Sequence, residues 1–218
     1  MIRVQIVVEG STEEAVLKAL LVAPLAERGV FLSPMRVLRG GGARGGGSSW
    51  QPWEKHLLHL LKQDASPDVR VGTFLDLYRV PKDVPGFDAT KLGGARADGI
   101  LAALRTRVSD GRFVPYLQLH EIEALLFTDL SALTQVEPDV FPTKGVAALA
   151  AAVAGVPPEA INDRYETAPS RRLKASFPAF DKVEHGSAAA ARIGLAAIRN
   201  ACPRFDHWVS TLEALSAT

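Results

Sequence analysis

Residues 6–21 read IVVEGSTEEAVLKALL. The β-branched run ahead of Glu9 has the continuous apolar character of a strand buried on both faces. Glycine, serine and two acids intervene, and then Leu17, Leu20, Leu21 and Leu25 recur at helical spacing. This pattern predicts a strand over 3–8, a tight turn at Gly10 and a helix over 12–28. Ser11 and Glu14 read as the capping box that opens the helix, and Pro24 as a kink or a stop near its end. Glu14 thereby has a structural explanation, whereas Glu13, one turn beyond Glu9, has none so clear. Glu9 itself stands where the strand ends. It is either an exposed charge of no consequence or one leg of a metal site.

Outward from this stretch the alternation continues. Further strands are expected at 35–39, 69–75 and 113–120, with helices at 50–62, 95–108 and 121–133. The order β-α-β-α-β-α-β is that of a parallel sheet wrapped by helices. Beyond about residue 135 the strand signal disappears. Alanine-rich helical stretches at 146–154 and 187–200 follow, separated by turns at Pro157, Pro169, Pro178 and Pro203. The expected architecture is α/β: a parallel sheet of about four strands flanked by helices over 1–135, with a helical portion over 136–218 packed on it.

Bulk properties set the outer bounds. With 218 residues, 47% hydrophobic and 22% charged, the composition is that of an ordinary soluble globular protein. A net charge of +1 provides no global attraction for nucleic acid or membrane, so any such site requires local clustering. The single cysteine, Cys202, excludes an internal disulfide framework and a multi-cysteine zinc site. The opening MIRVQIVVEG lacks a basic-then-apolar leader, and the longest apolar stretches are too short or too alanine-rich to span a bilayer. A cytoplasmic protein without membrane contact is expected.

In a parallel α/β sheet, ligands collect outside the carboxyl ends of the strands. Glu9 ends the first strand, Asp76 ends VGTFLD, and Glu121 with Glu123 follows VPYLQLH. Three strands thus deliver carboxylates to one edge. A single acid at a strand end is usually a helix-dipole partner or a solvated charge. Several together repel one another unless a cation such as Mg²⁺, which takes hard oxygen ligands, lies between them.

The chain here resembles a known superfamily. Glu9-Gly10-x-Thr12-Glu13, Asp76 with Tyr78, and His120-Glu121-Ile122-Glu123 look like the acidic pattern of Toprim domains, which occur in topoisomerases, primases and the OLD-type nucleases. More closely, the chain resembles the bacterial domain-of-unknown-function family 4276. That likeness extends through DLYRVP at 76–81, QLHEIEALLF at 118–127, IND at 161–163, APSRRL at 168–173 and IRNACPRFDHW at 198–208. It implies a Mg²⁺ (or Mn²⁺) dependent phosphodiester hydrolase, a nuclease, in a phage-defence or DNA-repair setting. Glu9, Asp76 and Glu121 would be catalytic, and Glu9, Glu13, Asp76, Glu121 and Glu123 would hold metal. One departure stands out: Tyr78 replaces the second acid of the Asp-x-Asp pair. A neutral phenol is a poor Mg²⁺ ligand, which leaves one ion or two as alternatives. Because OLD-type nucleases also carry an ATPase, the resemblance equally allows a partner subunit of an ATPase that is inactive alone. A regulatory module holding a nucleotide through Mg²⁺ is a third alternative.

Remaining motifs bear on substrate. The glycine-rich GGGARGGGSSW lacks the lysine of a phosphate-binding Walker loop. It reads either as a surface loop or as a flap over a polynucleotide, with Arg39 and Arg44 on phosphates and Trp50 or Trp53 for stacking. Arg164, Arg171, Arg172, Lys174 and Lys182 crowd a segment with few acids. They either grip a nucleic acid backbone or form a solvated helix face. His120 is expected to satisfy a backbone hydrogen bond, and Phe205 and Trp208 to anchor the core.

Overall fold

A computed structural model describes residues 1–38, 49–161 and 165–217. Strand β1 (Ile2–Val8) leads into α1 (Ser11–Leu17), a π-helical segment (Lys18–Val22) and α2 (Ala23–Ala26), then β2 (Val30–Arg36). Helix α3 (Gln51–Gln63) precedes β3 (Val69–Asp76), and α4 (Gly93–Val108) precedes β4 (Phe113–Gln118). Six helices follow: α5 (Ser131–Val136), α6 (Thr143–Ala152), α7 (Pro169–Ser176), α8 (Glu184–Ile193), α9 (Leu195–Ala201) and α10 (Pro203–Ala214). The four strands form one all-parallel sheet in the order β2-β1-β3-β4.

Both faces of the sheet are buried, which is why the strands are apolar throughout. Val4, Ile6 and Val8 of β1 face Leu17, Leu21 and Leu25 together with the C-terminal helices. Val7, Val71, Leu75 and Leu117 face Trp53 and Leu57 of α3 and Ile100 and Leu104 of α4. The chain leaves β1 towards β2 on one side and returns across it to β3 on the other. The carboxyl ends of β1 and β3 therefore flank the point where strand order reverses, the place where open α/β sheets hold ligands. Gly72 lets β3 and β4 close up, since a Cβ there would lie 2.3 Å from the Val114 carbonyl oxygen.

The C-terminal helices anchor on the sheet through aromatic rings. Tyr116 stacks on Trp208 at 4.7 Å, Phe74 meets Trp208 edge-on at 5.5 Å, and Phe205 is fully buried, as the sequence predicts. No helix among the described residues is long and apolar enough to cross a membrane.

Several elements differ from expectation. The second strand lies at Val30–Arg36, earlier than the predicted 35–39, because Pro34 is tolerated within it: β2 is an outer strand with one side free of the ladder. The other outer strand, β4, carries Pro115. Upstream of Pro24 the first helix widens into its π-helical turn, the local response to a ring that has no N–H and crowds the carbonyl four residues back. In place of a helix over 121–133, a 3-10 segment (Ile122–Thr128) precedes the short α5. The stretch at 187–200 is two helices, broken at Gly194, whose φ of +84° lies outside helical space. Trp50 and Trp53 stack on each other and are 4% and 1% exposed. They belong to the core under α3 and are not presented to a polynucleotide.

Candidate metal centre

Glu9 directly follows β1 and Asp76 is the last residue of β3, so adjacent paired strands bring the two to one edge. The turn at Gly10 starts α1. The cap is formed by Glu13 and not, as the sequence predicts, by Ser11 with Glu14: Glu13 Oε2 accepts the Gly10 N–H at 2.7 Å. That bond folds the Glu13 carboxylate back over the strand end. A Cβ on residue 10 would stand 3.1 Å from it. Glu14 points elsewhere, pairing with Lys18 at 2.7 Å and Arg36 at 3.1 Å.

Asp76 is 7% exposed, and its Oδ1 is buried with no hydrogen-bond partner. Burial pushes its carboxyl well above the usual carboxylate range, and the charges of Glu13, Glu123, Glu121 and Glu9 push it further. The other four predicted acids therefore all act on Asp76. Burial likewise raises Glu13, with Glu9 adding to it, and raises Glu123.

The third strand end is built differently. Extended structure stops at Gln118 because His120 adopts φ +68°, two residues before the predicted end. The His120 carbonyl accepts the Tyr78 N–H at 3.0 Å, which ties the loop after β4 to the loop after β3. Glu121 accepts two hydrogen bonds from Ser170, from N–H to Oε2 at 2.9 Å and from Oγ to Oε1 at 3.0 Å. Glu123 takes the Lys182 ammonium at 2.8 Å, and the same ammonium lies 3.9 Å from Glu121. Burial alone would lower the Lys182 pKa. Glu123 chiefly, then Glu121 and Asp76, outweigh it and hold the lysine above its ordinary value.

Lys182 sits in a braced turn. The Asp181 carboxylate accepts the N–H groups of Val183 and Glu184 at 2.8 and 2.7 Å, and the Asp181 N–H donates to His185 Nδ1 at 2.9 Å. Lys174 donates to the Phe180 carbonyl at 2.9 Å on the other side of the turn.

Beside the acids lies a cleft of about 850 Å³, lined by Thr12, Arg79, Ser170, Arg171, Lys174 and Lys182 among others. Three of the predicted basic residues thus share one wall. Arg172 does not line it, since its guanidinium donates to the Thr167 carbonyl at 2.8 Å. Arg39, Arg44 and Arg164 lie outside the described residues. Sequence reasoning missed Arg79 and Ser170. Arg79 follows Asp76 by three residues in DLYRV, and Ser170 is the second residue of a proline-led helix, a position whose backbone N–H has no partner within the helix.

Among the described residues, no group of three or more His, Cys, Asp or Glu side chains stands ready-made to hold an ion. The donor chemistry nevertheless fits a hard divalent cation. Asp76 offers a buried oxygen with no donor, and Glu13 keeps a second oxygen beyond the one bound to Gly10. Mutually repelling carboxylates are what such a cation draws together.

No curated protein matches the chain. Among solved structures it is similar to the C-terminal region of the Burkholderia pseudomallei OLD protein, with TM-score 0.47 and 17% identity over 97% of this chain and 99% of that one. It is similar also to the C-terminal region of the Xanthomonas campestris pv. campestris OLD protein, with TM-score 0.46 and 17% identity over 100% of this chain and 99% of that one. A family model described as Domain of unknown function (DUF4276) matches residues 8–213, and the chain belongs to that family.

Proposed function

We propose that this chain is a phosphodiester hydrolase of the Toprim type that depends on Mg²⁺ or Mn²⁺ and cleaves nucleic acid. The observation that carries the reading is Asp76: a buried carboxylate with a donorless oxygen, surrounded by four other acids at the switch point of a parallel sheet. Lys182 compensates Glu121 and Glu123, and the acids on the Asp76 side destabilise the fold unless a further cation is bound there. Glu9, Glu13 and Asp76 would hold the ion. When bound, it supplies charge to polarise a phosphate and to lower the pKa of a water.

The chain's own groups do the rest. Glu13, pinned by the Gly10 N–H, keeps its carboxylate turned to the strand ends. Arg79, Arg171 and Lys174 line the adjoining cleft and would seat the phosphates of a strand, without reading bases. Lys182, at the junction of cleft and acids, would set the depth to which a phosphate enters. Ser170 fixes Glu121 and so couples the cleft wall to the acidic edge.

The test is incubation of the purified chain with Mg²⁺ or Mn²⁺ and single-stranded, duplex and structured nucleic acids, beside Glu9→Ala. Cleavage that the substitution abolishes is the expected result. Cleavage appearing only when an ATPase is added would instead identify a partner subunit, and tight mononucleotide binding without turnover would identify a regulatory module.

A further inference from the structure

We infer that Lys182 occupies the position of a second cation, so that the centre takes one divalent ion. The inference rests on the metal-centre reading above and concerns how that centre is filled.

The five acids fall into two groups with different needs. Glu121 has both oxygens engaged by Ser170, and Glu123 is paired with the Lys182 ammonium at 2.8 Å. Hydrogen-bonded by Ser170 and ion-paired with Lys182, these two are already compensated. Asp76 has a donorless oxygen and Glu13 has backbone donors only, and among the described residues neither makes an ion pair, so this side still lacks a paired positive charge. One divalent ion beside Asp76 and Glu13 meets that need.

A second ion that used Glu121 and Glu123 as ligands would have to displace the ammonium. Paired catalytic metals stand roughly 3.5–4 Å apart and each needs several oxygen ligands. Next to Asp76, the position that would add such a ligand is Tyr78, whose phenol is neutral and whose N–H is tied to His120. The lysine side chain is 46% exposed along its length while its tip meets two acids that are 5% and 3% exposed. A flexible, half-solvated stem gives the ammonium no reason to dwell there except those charges. Both the missing acid and the supplied ammonium therefore point the same way, and they come from segments about a hundred residues apart in sequence.

Counting bound Mn²⁺ per full-length chain tests this, by calorimetry and by electron paramagnetic resonance of the free ion. Wild type should bind one ion. Tyr78→Asp combined with Lys182→Met restores the acid and removes the ammonium, and should bind two, with folding checked by circular dichroism. Two ions on wild type would overturn the inference and leave the metal-centre reading standing. None on wild type would overturn both. A folded double variant that still binds one would overturn the inference alone, and should that variant fail to fold, the wild-type count still decides.

Discussion

The two ends of the sheet both carry charged residues and handle them in opposite ways. At the amino ends, Arg3 meets Asp64 at 2.9 Å. Arg112 meets Asp110 at 2.9 Å and donates to the carbonyls of Asp64 and Leu61 at 2.6 and 2.8 Å. There the acids are held below the ordinary range, Asp64 by the Ser66 N–H and by Arg3, Asp110 by Arg112. At the carboxyl ends Asp76, Glu13 and Glu123 are buried and raised, with the Lys182 ammonium against Glu123. Exposed, matched pairs close off the bottom of a fold. Buried, mismatched acids at the top store repulsion that a ligand can relieve, and it is the second arrangement that supports the proposed site.

That contrast can be broken first at its strongest point. Glu9→Ala and Asp76→Ala should each lower Mg²⁺-dependent cleavage by at least about a hundredfold, more than outer supporting groups usually cost. Initial rates on labelled substrate measure it. Next, Mn²⁺ at about a hundred times its Kd should stabilise wild type by about 2.7 kcal/mol, and Asp76→Asn by far less. Thermal melts with and without the ion read that difference. Ser170→Ala removes the hydroxyl donor to a buried carboxylate and should cost about 1–3 kcal/mol in chemical denaturation.

A smaller effect has a definite sign with pH. Because the folded-state pKa of Asp76 lies above its unfolded value, the fold gains most below the unfolded carboxylate range and loses that gain as pH rises through the raised value. In chelator, Asp76→Asn should therefore melt a few degrees above wild type at pH 8 and lose that advantage towards pH 4. The smallest effect belongs to the other end of the sheet. Arg3→Ala should leave the melting temperature within about 1 °C and the cleavage rate unchanged, as exposed pairs generally do. A large loss of cleavage there would erase the contrast between the two ends.

Much of the acidic edge was legible because strand ends announce themselves. The apolar run before Glu9 and the run ending in Asp76 each stop on a carboxylate, and the parallel order places those stops together. What lay beyond reach was the partnership of remote segments. Glu121 and Ser170 are 49 residues apart, and no local pattern in APSRRL says which carboxylate its free N–H will meet. Lys182 reads as one more basic residue until the turn around Asp181 is seen to aim it at Glu123. Trp50 and Trp53 misled for a related reason: beside a glycine-rich loop they look available, yet helical spacing turns both into the core. The capping pattern pointed to Ser11 with Glu14 because serine is a usual cap, but the helix starts one residue earlier, with Gly10 as its cap and Glu13 in the reciprocal place.

The prolines on the two outer strands limit how this molecule can meet another. Tyr116 N–H turns inward to Thr73 and Val37 N–H turns inward to Val8, so by alternation the nitrogens of Pro115 and Pro34 face outward. A foreign β-strand laid along either margin would find a carbonyl of its own left without a proton donor midway. Continuous sheets spanning two molecules, and the fibrils they seed, are thereby discouraged. Helices and loops are therefore the more favourable surfaces for a companion protein.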